Sequence, residues 1–214
     1  MSRDQKLDGR FRRLMAAVDT PESVGTRLAE EGRRLWQRLQ RLLDMHLTPP
    51  ELDREAMELA CYALQLPDRG GRGAGKLVQV NLKERAEQAA ELIVESLNEK
   101  ADEALAARTA ELLRQLPQKS PELLEAKLLA DAVNLDDFGL TWLMLTAMQL
   151  GRQQEALASV ADGFEKRQQY GYWEARLKDG FHFEPVRQMA RARLAAARQA
   201  ASLLLSELAE DQAR

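Results

Sequence analysis

The chain reads as all-α, and three observations carry that reading. Apolar residues recur at three- and four-residue spacing through nearly every segment between breakers. Cap residues stand where those periods begin. Only Leu77-Val78-Gln79-Val80 has strand character, and so short a run cannot build a sheet.

The elements follow in order. Thr20-Pro21-Glu22 supplies a hydroxyl cap and a proline at the first helical position, after which Leu28, Leu35, Leu39 and Leu42 trace one face to about Met45. Thr48-Pro49-Pro50-Glu51 has the spacing of a capping box and predicts a helix that ends by Pro67. Further helices are expected over about 82–98, 101–116, 121–133, 135–150, 152–169 and 184–210, with Ser120-Pro121 and Glu184-Pro185 marking starts. Pro67 to Lys76 and Tyr170 to Glu184 are expected to be irregular, the places where a helical scaffold usually carries function.

Composition narrows the classes. The 214 residues are 45% hydrophobic and 30% charged, which suits a globular protein with a sizeable core. They fit one domain, over 48–214, preceded by an N-terminal helical segment over 1–47. No apolar run approaches the roughly 18 residues that span a bilayer, and the polar start MSRDQKLDGRFRRLM lacks the apolar stretch of a secretory signal, so a cytoplasmic protein is expected. The net charge of −3 argues against a general nucleic-acid binder. Cys61, the single cysteine, sits in the apolar run 59–64 and reads as a small buried hydrophobe. Arg27, Arg34, Arg38 and Arg41 recur at helical spacing, but Glu22, Glu30, Glu31 and Asp44 balance them, so they read as a solvated face. The leucine face opposite can pack within the chain or against a second copy, so a homodimer is compatible with the pattern.

Four local signals bear on function. Gly70-Gly71-Arg72-Gly73-Ala74-Gly75-Lys76-Leu77 has phosphate-loop spacing but ends in Leu where Ser or Thr would hold magnesium, and a helix rather than a strand precedes it. It reads as a connector with Arg69, Arg72 and Lys76 solvated, or as a lid over a phosphate ligand. Met148 to Leu157 looks like the turn of a tetratricopeptide unit, without an echo about 34 residues away. Eight of the eleven aromatics lie between Phe138 and Phe183, which reads as a satellite core or else a pocket or partner surface. Between Phe164 and Arg198 eight Lys or Arg face four acids, and Lys178, Arg187, Arg191 and Arg193 are the candidate anion contacts, the arginines for their bidentate fork.

Three stretches carry a family likeness. Glu125-Ala126-Lys127-Leu128-Leu129-Ala130-Asp131-Ala132-Val133-Asn134-Leu135-Asp136-Asp137-Phe138-Gly139 resembles the late helix of HD-domain phosphohydrolases. The run 172–179 and the long helix after it are similar to the closing segment of one branch of that family, and Ala56 to Pro67 resembles the helix that ends in its His-Asp doublet. The resemblance implies a compact HD-like multi-helix domain with an N-terminal helical extension. It also implies that the metal-binding doublet is replaced by Leu64-Gln65 and the later metal-ligating Asp by Val133, residues without a strong metal donor. Asp131 and Asp136 match positions that are not the metal ligand, and they read as caps or braces.

The expectation is therefore an HD-like domain without metal-dependent phosphohydrolase activity and without a cofactor, acting as a module for a phosphorylated small molecule or a protein partner. The alternative is a phosphohydrolase or lyase with a rebuilt site near 170–184, using His182 as acid or base with Asp136. A divalent metal held by His182 with Asp131, Asp136 or Asp179 belongs to that alternative. His46, at a helix end, reads as a complement to the helix dipole.

Overall fold

A computed structural model of the chain describes residues 3–18, 22–45, 51–66 and 81–212. Among these residues the fold is all-α, with ten α-helices, one 3-10 turn and no strand. His46, the Thr48-Pro49-Pro50 part of the expected capping box, the glycine-rich segment 67–76 and the run 77–80 lie outside the described residues. The chain divides into two compact units, Met1–Ala130 and Asp131–Arg214.

The first unit contains α1 (Arg3–Ala17), α2 (Glu22–Asp44), α3 (Arg54–Ala63), α4 (Leu82–Ser96) and α5 (Glu103–Gln115). Helices α4 and α5 pair, α3 packs against α2 and α5, and α1 lies on α3 and α4. Leu35, Leu39 and Leu42 of the predicted face are buried, with Met57, Leu59, Ile93 and Leu113 beside them in the core.

Local chemistry sets the starts. Helix α3 begins later than the capping box predicts: Asp53 is its cap, its carboxylate accepting the Ala56 amide at 3.0 Å. Asn81 caps α4 by accepting the Glu84 amide at 2.9 Å. The helix expected from Ser120-Pro121 starts at Leu124, because the Gln115 side chain takes the amides of Glu122 and Leu123 at 2.9 and 2.8 Å and turns the chain first.

The arginine stripe of α2 corrects another expectation. Arg27 and Arg41 are exposed, but Arg38 is buried. It follows Leu35 by three positions, so its aliphatic stem joins the core face while its charge stays close to Cys61. The Cys61 thiol is fully buried, and that burial pushes its pKa well up, away from thiolate reactivity.

The division between the units falls inside α6 (Leu124–Asn134). The second unit continues through a 3-10 turn (Leu135–Asp137), α7 (Leu140–Arg152), α8 (Ala158–Gln169), α9 (Tyr172–Asp179) and α10 (Glu184–Gln212). Helix α10 packs against α7, α8 and α9. Two expectations change here. The helix predicted over about 135–150 is broken at Phe138 and Gly139, where Gly139 takes φ +91°. There a Cβ would stand 3.0 Å from the Arg193 Cβ, so glycine serves both the turn and the close approach of α10. The stretch Tyr170 to Glu184, expected to be irregular, contains α9, entered through Gly171 at φ +66° and followed by Gly180.

Candidate functional site

The aromatics of the second unit build a core. Trp173 of α9 is buried, with ring centroids of Tyr172 at 5.0 Å, Trp142 at 5.3 Å, and Phe138 and Phe164 at 5.5 Å, all tilted or edge-on. Phe181 extends the cluster from Phe138 at 5.4 Å. The Arg167 guanidinium lies 4.6 Å from the Trp142 ring and 5.5 Å from that of Tyr172, closing the outer edge by cation–π attraction. A cavity of about 230 Å³ opens between α8 and α10 beside Phe164, where Arg198 is held by Gln168 and Glu174.

Asp131 is the most constrained polar group in this unit. It is fully buried and accepts the backbone amides of His182 at 2.8 Å and Phe183 at 3.1 Å. Burial pushes its pKa up to about 7, against the pull of those two amides and of Arg187. Asn134 and Arg176 tie the same region together: Asn134 donates to the Gly180 carbonyl, and Arg176 donates to Asn134 at 2.8 Å and also to Asp137.

The candidate anion contacts take separate places. Arg187 donates to Glu184 and, at 2.8 Å, to the Phe181 carbonyl, while Arg191 donates to Glu184 at 3.0 Å. Arg193 donates to the Leu135 carbonyl at 3.2 Å, and Lys178 stands exposed on α9. Arg187 and Arg191 are thus brought together around one carboxylate, and the other two are not brought to it. His182 is half-buried with its amide committed to Asp131, and Asp136 sits in the 3-10 turn. Among the described residues no three His, Cys, Asp or Glu side chains are grouped as a metal ion would need.

The three positions where the expected HD-domain resemblance would place metal ligands hold side chains without a strong metal donor. Leu64 is buried, Gln65 donates its side-chain amide to the Cys61 carbonyl at 3.1 Å, and Val133 is half-buried on α6.

What periodicity alone missed is the outer face of α7. Leu143 and Trp142 face the aromatic core, whereas Leu140, Met144 and Met148, at i, i+4 and i+8, are 49%, 60% and 57% exposed. Leu145 borders this stripe, and Leu157 stands exposed at the start of α8, after a turn in which Gln154 takes φ +60°. No charged residue occurs from Leu140 through Gly151. A helix that is apolar on both faces signals a second partner, and the sequence from Leu140 to Gly151 carries that pattern.

No family model, curated protein or solved structure matches this chain. Among the described residues no helix is long and apolar enough to cross a membrane.

Proposed function

We propose that this chain is a non-catalytic helical interaction module on an HD-like frame, and that α7 docks against α7 of a second copy. The exposed Leu140/Met144/Met148 stripe carries the reading. Contiguous apolar surface of this kind marks contact sites in proteins that stay in water. The occupant follows from charge. A face with no acid or base from Leu140 through Gly151 offers nothing to steer a charged partner, yet it meets its own copy without repulsion. Homodimer interfaces are the more apolar class, and a two-fold contact needs one self-complementary patch. Met144 and Met148, unbranched and polarisable, adapt to each other across such an axis. The non-catalytic part of the proposal is supported by the side chains at Leu64, Gln65 and Val133, which supply no strong metal donor where the HD-domain resemblance would require one.

Sedimentation equilibrium on the full chain tests this directly. The wild type is expected to be a dimer at micromolar concentration, and a Met144→Asp/Met148→Asp variant to be a monomer with unchanged helical circular dichroism. A monomeric wild type rejects the proposal, and so does a dimer that survives both substitutions.

A further inference from the structure

The first unit holds a second site, independent of the α7 surface. Helices α1, α2 and α3 line a solvent-open pocket of about 450 Å³, toward the small end of the range for small-molecule pockets. Its inner wall is aromatic: Phe11 and Tyr62 meet edge to face at 5.4 Å, and Trp36 lies beside them. Each helix presents one face to it at helical spacing, Leu7 with Phe11 from α1, Arg33 with Gln37 and Gln40 from α2, and Glu58 with Tyr62 from α3.

Close packing shapes the cavity. Gly32 brings α2 against Tyr62, whose hydroxyl is hydrogen-bonded by Arg33. Charge of both signs then faces one space. Arg33 enters from α2, Asp8 from α1 and Glu58 from α3. Asp8 also takes a hydrogen bond from Arg12 at 3.1 Å, and Glu58 has a partner of its own. A carboxylate has roughly four acceptor sites, so neither partner prevents further bonding.

We infer that this cavity binds a small zwitterion of the α-amino-acid class, its carboxylate on Arg33, its ammonium on Asp8 and Glu58, and its side chain against Phe11, Trp36 and Tyr62. The mixed charge selects the class. A simple carboxylate would gain Arg33 and meet two repelling acids. A simple amine would gain the acids and meet the guanidinium. A ligand with both charges instead meets a group of opposite sign at each end. The aromatic wall favours an apolar or aromatic side chain, and Gln37 and Gln40 supply amides at the rim.

The test uses the full chain and isothermal titration with the standard L-amino acids. The tightest of them is then compared with its decarboxylated amine and its deaminated acid. One amino acid is expected to bind one to one, and each single-charge analogue at least about tenfold more weakly, the scale of one lost charge-assisted contact. Arg33→Gln is expected to lose about tenfold or more while keeping the wild-type melting temperature, since Arg33 is exposed. Asp8→Asn gives a second reading should Arg33→Gln fail to fold. Absence of binding by every amino acid overturns the inference, as does an analogue that binds as tightly as the zwitterion, or wild-type affinity in a folded variant. None of these outcomes bears on the oligomeric state.

Discussion

Asp131 and His182 are joined through the backbone: Oδ1 of Asp131 accepts the His182 amide at 2.8 Å, and Oδ2 accepts the neighbouring Phe183 amide at 3.1 Å. Those amides stand immediately before Glu184, where α10 begins. A carboxylate from α6 therefore does the work of a helix cap from 51 residues away in sequence, at the end of the helix where the dipole favours negative charge. The brace expected of Asp131 acts on α10, not on the helix that directly follows it.

This arrangement makes stability depend on pH with a definite sign. Asp131 titrates at about 7 in the folded chain and near 4 when unfolded. Between those values the folded chain holds a proton that the unfolded chain has released, so stability from this group falls as pH rises and levels off above about 7. Melting temperatures of the wild type and Asp131→Asn, taken across that range, isolate the effect. Their difference is expected to shrink or reverse as pH rises, and a difference independent of pH would contradict the burial of this carboxylate.

Asp102 shows the opposite balance. Burial alone would raise its pKa, but hydrogen bonds from Arg13 and Arg10 outweigh that and hold it below the ordinary carboxylate value. Its stabilisation is therefore present above about pH 4 and lost as pH falls through the lowered folded value. The Asp102 and Arg10 side chains are 9% and 11% exposed, so Asp102→Ala removes a largely buried carboxylate shared by Arg10 and Arg13 and leaves the Arg10 guanidinium with Glu55 alone among the described residues. The expected loss is about 2–4 kcal/mol in urea unfolding, and the double variant Arg10→Met/Asp102→Leu recovers part of it. A loss below about 0.5 kcal/mol would place the pair with ordinary surface bridges.

The helical class and several starts were legible because they rest on local chemistry: Asn81 caps α4, and Glu184 opens α10. The start of α3 differs from the expected one because Asp53 supplies its cap, and α9 differs because Gly171, Gly180 and dense aromatics resemble a loop. The sites fail for another reason. Spacing shows that Arg33, Gln37 and Gln40 share a face, as do Glu58 and Tyr62, but which faces meet is a tertiary fact. The same holds for Leu140, Met144 and Met148, where periodicity detects an apolar face and says nothing of what covers it. Arg38 was assigned to solvent on charge alone, although its stem had room in the core beside Leu35.

The approach of α2 to α3 gives the sharpest test of the first unit. A Cβ at Gly32 would stand 2.8 Å from Tyr62 Cδ1 and 2.9 Å from Tyr62 Cα. The Cα is backbone and cannot rotate aside, so Gly32→Ala must push the helices apart. Overpacking of this kind costs about 1–3 kcal/mol, against a gain of up to about 1 kcal/mol for removing a helical glycine. Gly9 supplies the control: it lies in α1 with nothing within 4 Å of its added Cβ, so Gly9→Ala should gain about 0.5–1 kcal/mol from propensity alone. Urea midpoints are expected to move in opposite directions for the two substitutions, with unchanged slopes. Equal gains at both positions would mean that α2 and α3 do not approach this closely, and the cavity beside Tyr62 would lose the wall that shapes it.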